Sequence, residues 1–213
     1  LNLGGHCGDN PVAVAENRQR VAQQIGTAPR WLKQVHGIGV VELGEGQGPE
    51  PEADAAYTQS PGVAVAVMTA DCLPLLICHP SLPLVAAVHA GWRGLCAGVI
   101  ENTIAALGVD PARLMVWLGP AIGPQVYTVG AEVREAFVAK YPVCASEFMA
   151  VGHHQWRANL YGLARQRLGR LGVEQIYGGT ECAFSDPNRF FSHRRDGGVT
   201  GRMASIIWME TDS

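Results

Sequence analysis

Hydrophobic positions gather into three short, nearly continuous runs at the centre of the chain: 62–68 (GVAVAVM), 73–78 (LPLLIC) and 84–89 (LVAAVH). Apolar runs of this length, bounded by Pro and Gly and lacking polar alternation, predict strands buried on both faces. After GWRG at 91–94 the spacing turns helical, with Ile100, Ile104 and Leu107 on one side and Gly108 closing the helix. Residues 9–25 predict an earlier helix, capped by Asn10, opened by Pro11 and carrying Val14, Val21 and Ile25 on one side. Segments 31–36 (WLKQVH) and 38–43 predict short strands around Gly37, and 43–52 (LGEGQGPEPE) predicts a surface turn. Downstream, 114–118 predicts a strand, 130–140 and 157–171 helices, and 173–177 and 203–209 strands. Strands alternating with helices give an α/β fold: a single domain, residues 1–213, with a mixed β-sheet flanked by helices.

Composition narrows the classes. The chain has 213 residues, 47% of them hydrophobic, with 16 basic and 19 acidic residues for a net charge of −3. A chain of this length buries roughly 70% of its unfolded surface, enough for one core. The missing basic excess argues against a nucleic-acid coat or an anionic-membrane binder, and the high apolar fraction excludes disorder. The longest apolar stretch, Gly62 to Ala70, is far short of the ~20 residues that span a bilayer. Leu1 to Asp9 is Gly-rich and polar and does not read as a signal peptide. The six cysteines are scattered without CxxC pairs, which excludes a disulfide scaffold, a zinc ribbon or a thioredoxin motif. The expectation is a cytoplasmic protein, a monomer or weak homodimer, that needs neither nucleic acid nor membrane.

Three segments carry a borderline metal ligand at or near a predicted strand end: QVHG with His36, TADCLP with Cys72, and VHAGWRG with His89. Two imidazoles and a thiolate suit Zn²⁺ and leave a fourth position for water or substrate, the pattern of catalytic rather than structural zinc. The residues alone leave a second option open, a Cys72–His89 nucleophile pair that needs no metal, and a third, hydrogen-bonded histidines in a core. Asp71 beside Cys72 reads as a support for a ligand imidazole, as a general base, or as a turn aspartate bonding its own loop. Arg93, at the start of the helix after His89, reads as half of an anion site with the helix-start amides or as a solvated arginine. The loop FFSHRRDGGVTGR at 190–202 holds Arg194, Arg195 and Arg202 with His193 and Asp196, either a phosphate loop or an Arg–Asp network. His153 and His154, as neighbours, are expected to point apart on the surface. Cys78, Cys96 and Cys182 are expected to be buried thiols, with an approach to a site the alternative for Cys182, and Trp92 and Trp117 are expected in the core, with a base-stacking wall the alternative. Neither the H-x-E…P-C-x-x-C deaminase signature nor a Walker A or GxGxxG loop is present.

Read together, LNLGGHCGDN (1–10), QVHG (34–37), ADAAYT (53–58), TADCLPLL (69–76), AAVHAGWRGL (86–95), LGPAIGP (118–124) and FFSHRRDGGVTGRMAS (190–205) carry a resemblance. The chain resembles, along essentially its whole length, the family of bacterial peptidoglycan editing factor and the laccase-domain purine nucleoside enzymes. That resemblance implies a mixed α/β domain, zinc held by His36, Cys72 and His89, and phosphorolysis of adenosine, inosine and methylthioadenosine with deamination of adenosine. It also implies catalytic roles at the triple and at Asp71, and substrate or phosphate contacts at Arg93, Arg194 and Arg202. The alternative it carries is a hydrolase editing peptidoglycan precursors through zinc-bound water or the Cys72–His89 pair; a zinc-stabilised interaction module without catalysis is the third reading. The family pattern further leads one to expect a segment before Leu1. Copper, named in an older family label, is disfavoured: of the seven histidines, the five besides His36 and His89 include no His-x-His pair.

Overall fold

The structure, a computed structural model, describes residues 1–46 and 48–211; Gln47 of the predicted 43–52 turn lies outside them. A six-stranded mixed sheet forms the middle layer, in spatial order β11 (Gln175–Gly178), β7 (Met115–Leu118), β5 (Leu73–Cys78), β6 (Val85–Ala90), β3 (Ala55–Thr58) and β2 (Val40–Glu42). A three-stranded sheet of β1 (Pro29–Arg30), β4 (Ala64–Thr69) and β12 (Met203–Ile207) packs against one face. Helices α2 (Trp92–Ala97), α3 (Val99–Leu107), α4 (Ala131–Lys140) and α5 (Leu160–Arg170) belong to the other face. A small antiparallel sheet of β8 (Thr128–Gly130), β10 (Gln155–Ala158) and β9 (Phe148–Gly152) joins α4, and α1 (Pro11–Ile25) opens the chain. No helix among the described residues is long and apolar enough to cross a membrane.

Strand parity explains the layers. Along β5, Leu73, Leu75 and Ile77 join the helix-side core, and Leu76 and Cys78 turn to the small sheet. Along β6, Ala86, Val88 and Ala90 face the helices, while Val85 and Ala87 face Val65 and Val67 of β4. Each fully buried aliphatic side chain contributes roughly 1.5–3 kcal/mol of transfer free energy. The two-sided burial of β4 and β6 accounts for their unbroken apolar runs. His89 shares the parity of Val85 and Ala87, so it emerges at the end of β6 on the side of the small sheet. The metal-ligand motifs thus meet where the two sheets' strand ends run side by side.

Several expectations are corrected. Residues 31–36 form no strand; only Lys33 bridges, to Glu52, and the segment is a loop held by side chains described below. The helix after GWRG is two helices broken at Gly98, whose φ of 119° lies in the left-handed region. The β8–β10–β9 sheet was not expected; it takes the first residues of the helix predicted over 157–171, which begins at Leu160 under an Asn159 cap. Trp117 is 41% exposed, beside Tyr177 on the neighbouring strand, rather than in the core. Cys78 and Cys96 are half-buried at the core margins. His153 and His154 are exposed as expected, yet their rings meet edge to face with centroids 4.1 Å apart instead of pointing away. The α1 reading holds: Asn10 Oδ1 accepts from the Val12 amide at 2.9 Å, and Pro11 is the first helical residue.

Candidate metal centre

The QVHG loop and two strand-end segments bring the sulfur of Cys72 and one ring nitrogen each of His36 and His89 within 4.8 Å of one another. Nε2 of His36 lies 3.8 Å from Cys72 Sγ. A tetrahedral zinc centre sets its N and S ligand atoms roughly 3.4–3.6 Å apart. A small inward shift would therefore close the three donors on one ion, and the residues fit the group the sequence implies. Among the described residues this is the one such cluster.

Asp54, which the sequence reading passed over, organises the centre. It is fully buried at the start of β3. Its carboxylate lies 2.7 Å from Nδ1 of His89 and accepts the backbone N–H groups of Val35 (3.2 Å), His36 (2.9 Å) and Gly37 (2.6 Å). Three successive amides can converge on one carboxylate because His36 takes φ +59°, folding the QVHG backbone into an anion-binding nest. A carboxylate only accepts, so His89 donates through Nδ1 and presents Nε2 to the cleft. Gln34 fixes the other end of the loop: its side-chain amide donates to the Met68 carbonyl at 2.8 Å and accepts the Met68 N–H at 2.7 Å. It is Asp54 whose carboxylate meets the His89 ring, while the Asp71 carboxylate accepts the Arg194 N–H. The available signal was an acid set among small apolar residues, Ala53, Ala55 and Ala56, leading into a buried strand.

Two glycines of GWRG let these pieces touch. A Cβ at Gly91 would sit 3.0 Å from both Cys72 Sγ and His36 Cδ2, and one at Gly94 would sit 2.7 Å from the Gly37 carbonyl. The helix that follows has six residues, so the extended helix foreseen behind Arg93 is absent.

Charges inside the centre reinforce one another. Burial alone would raise the Cys72 thiol, but the two imidazoles beside it bring it down to about 6. Burial would lower His89, yet the Cys72 sulfur and the Asp54 carboxylate raise it to about 9. For Asp54, burial pushes upward and is outweighed by the hydrogen bonds from His89 and the loop amides, leaving the carboxyl below its ordinary value.

The centre opens into a cleft of about 330 Å³ whose lining includes Met68, Trp92, Tyr127, Arg93, Arg194 and Arg202. The three arginines expected to contact substrate or phosphate therefore all reach it, with His6 and His193 beside them. Arg93 stacks on Trp92 at 4.5 Å, and Arg194 donates Nη1 to the Thr128 carbonyl at 2.8 Å. Nη1 of Arg202 is spent on the Thr200 and Gly201 carbonyls. Arg195 turns away into a network with Asp196 and the carbonyls of Ala183, Phe184 and Phe190. Burial and the guanidinium groups of Arg202 and Arg18 hold His6 below its ordinary value. Burial and the Cys72 charge push the Tyr127 phenol up to about 12. Cys182 is half-buried and lies outside this lining; its sulfur accepts from the Gly123 N–H at 3.2 Å and from the Ser185 hydroxyl at 3.2 Å.

Fold and site together define a mixed α/β protein whose described residues gather three potential metal donors in a cationic, aromatic-walled cleft. The family described as multi-copper polyphenol oxidoreductase laccase matches residues 1–210, and the chain belongs to it. The purine nucleoside phosphorylase YfiH of Escherichia coli is 51% identical over 98% of this chain and 86% of its own length. A purine nucleoside phosphorylase of Pseudomonas aeruginosa is 50% identical over 99% of this chain and 86% of its own length. The crystal structure of a Neisseria meningitidis protein superposes with a TM-score of 0.96 at 50% identity, covering 99% of this chain and 86% of that one.

Proposed function

We propose that this chain is a zinc-dependent purine nucleoside phosphorylase. The observation that carries the reading is one cleft joining a His₂Cys donor set to three arginines and an aromatic wall. The names of the Escherichia coli and Pseudomonas aeruginosa relatives support it. The cleft volume of about 330 Å³ falls at the small end of the roughly 300–1,000 Å³ common for small-molecule sites. Met68, Trp92 and Tyr127 offer surfaces for a purine, and Arg93, Arg194 and Arg202 offer charge for phosphate.

His36, Cys72 and His89 would hold the zinc, which as a Lewis acid stabilises negative charge on a bound oxygen or nitrogen. Zinc fits better than a copper oxidase centre because the described residues gather one three-donor cluster, not several imidazole groups. In the reaction a phosphate oxygen forms a bond to C1′ of the ribose as the bond from C1′ to N9 breaks. The arginines hold the phosphate against that carbon, and the freed purine takes up a proton. Adenosine, inosine and methylthioadenosine share the ribosyl–purine bond on which this depends. Adenosine deamination in the same cleft is the finer part of the reading: water adds at C6 and ammonia leaves. Free thiols at six cysteines and small polar substrates fit a cytoplasmic setting.

One observation favours a second reading. The Cys72 sulfur, flanked by two imidazoles, also matches a nucleophile with its base, as a hydrolase of peptidoglycan precursors would need. Chromatography of adenosine incubated with zinc-loaded protein separates the cases. Adenine with ribose 1-phosphate, formed only when phosphate is present, supports phosphorolysis. Inosine formed without phosphate supports deamination. Turnover of a cell-wall precursor by metal-free protein, lost on alkylation of Cys72, would favour the hydrolase.

A further inference from the structure

We propose that Asp71 is a positioning residue: it clamps the arginine loop onto the turn that carries Cys72, in place of a role as the acid or base of the reaction. Its kinetic consequence rests on the phosphorolysis reading; the clamp itself does not. Asp71 precedes Cys72 in the turn between β4 and β5, is 8% exposed, and holds φ +91°. Residues with a side chain seldom adopt that region, and they persist in it where surrounding bonds over-determine the backbone.

Two such bonds are present. Oδ2 of Asp71 accepts the Arg194 N–H at 2.7 Å, a link across 123 residues of sequence. The Asp71 carbonyl accepts the Ile122 N–H at 2.9 Å. One residue thereby ties together the turn that carries Cys72, the 119–123 segment and the 190–202 loop. Each of these lines the cleft, through Cys72, Ile122 and Arg194. Arg194 is held at both ends, its main chain by Asp71 and its Nη1 by the Thr128 carbonyl. Its remaining guanidinium donors are thus set at a fixed distance from the metal ligands.

A proton carrier has to show an oxygen to the reacting atoms. Oδ2 is committed to the Arg194 amide, and Oδ1 is sealed from solvent with no hydrogen-bond partner among the described residues. Asp71 is itself among the residues that line the cleft, yet of its two oxygens one is bonded and the other has no open surface. The carboxylate instead does for the arginine loop what Asp54 does for the QVHG loop, receiving backbone N–H groups from a segment remote in sequence.

The test compares Asp71→Asn and Asp71→Gly in the zinc-loaded chain, with metal content and thermal unfolding checked. Asparagine keeps an acceptor for the Arg194 amide and tolerates the left-handed backbone. Glycine removes the clamp while suiting φ +91°, so its effect is free of added strain. For Asp71→Gly we expect amide exchange in the 190–202 segment to rise at least ~tenfold. We also expect its KM for phosphate to rise about tenfold or more at unchanged metal content. Asp71→Asn is expected to stay close to the native protein in both readouts. Loss of kcat in Asp71→Asn as deep as in Asp71→Gly, with native exchange, would overturn the proposal in favour of proton transfer. Unchanged exchange in Asp71→Gly would overturn it as well. If the native protein shows no phosphorolysis, the functional reading fails while the exchange result still decides the clamp.

Discussion

Nδ1 of His89 and a carboxylate oxygen of Asp54 lie 2.7 Å apart in a buried pair, and the same carboxylate gathers the amides of the loop that carries His36. One side chain therefore orients both imidazoles of the metal centre, one through its ring and the other through its backbone. Asp54→Ala is expected to weaken zinc binding by about 10–100-fold, the usual cost of losing a residue that supports a ligand. Competition with a chromogenic chelator measures this. Native zinc affinity in Asp54→Ala would show that the triple is organised without it.

Arg93 differs from the other two cleft arginines. Arg194 and Arg202 each spend a guanidinium donor on main-chain carbonyls, whereas Arg93 makes no hydrogen bond or ion pair among the described residues and only stacks on Trp92. It is the guanidinium with most capacity for a phosphate. Arg93→Ala is expected to cost roughly 1.5–3 kcal/mol in kcat/KM for phosphate, the worth of a charged hydrogen bond. The KM for nucleoside should change little. Initial rates with each substrate varied in turn measure both; equal rises in the two KM values would place Arg93 elsewhere in the reaction.

Cys182 is expected to separate from Cys78, Cys96 and Cys144 in pH dependence. At Cys182 burial pushes the thiol upward, but the Ser185 hydroxyl and the amides of Gly123, Ser185 and Phe184 outweigh it and leave it below the ordinary value. At Cys78, Cys96 and Cys144 burial raises the thiol. Only the thiolate reacts with iodoacetamide, so a lowered value means reaction at lower pH. Site-resolved mass spectrometry should find Cys182 labelled at lower pH than these three. Labelling of Cys182 last among them would contradict the hydrogen-bond account.

The glycines give a stability test. In Gly94→Ala the new methyl would meet the Gly37 carbonyl at 2.7 Å, a backbone atom with little room to yield. A loss of about 1–3 kcal/mol is expected, read as a melting temperature lower by roughly 2–4 °C per kcal/mol. Gly169 sits within α5 with open space around it, so Gly169→Ala should raise stability by about 0.5–1 kcal/mol. Thermal unfolding of the two variants checks both signs.

What the sequence made legible follows from where the forces are local. The strands at Ala64–Thr69, Leu73–Cys78 and Val85–Ala90 were readable because burial on both faces writes an unbroken apolar run. Within the ligand triple, His89 ends such a run and Cys72 lies between two of them, whereas His36 sits in a loop and was marked by its QVHG motif. The segment 31–36 misled because its apolar residues Trp31, Leu32 and Val35 mimic a strand, while its Val35 and His36 amides go to the Asp54 carboxylate and its Gln34 side chain bonds the Met68 backbone. The 148–158 hairpin was hidden because its residues from Met149 to Gln155 are exposed and carry no alternation against a core. Asp54 was hidden for a different reason. Its role arises only when β3 returns the chain beside the QVHG loop, and no local spacing records that return.

Cleavage of a nucleoside by phosphate in this cleft leaves a phosphorus signature. A ³¹P spectrum of zinc-loaded protein incubated with inosine and inorganic phosphate should show a growing ribose 1-phosphate resonance in step with released hypoxanthine, and no base release when phosphate is left out. Release of hypoxanthine with free ribose, independent of phosphate, would contradict it.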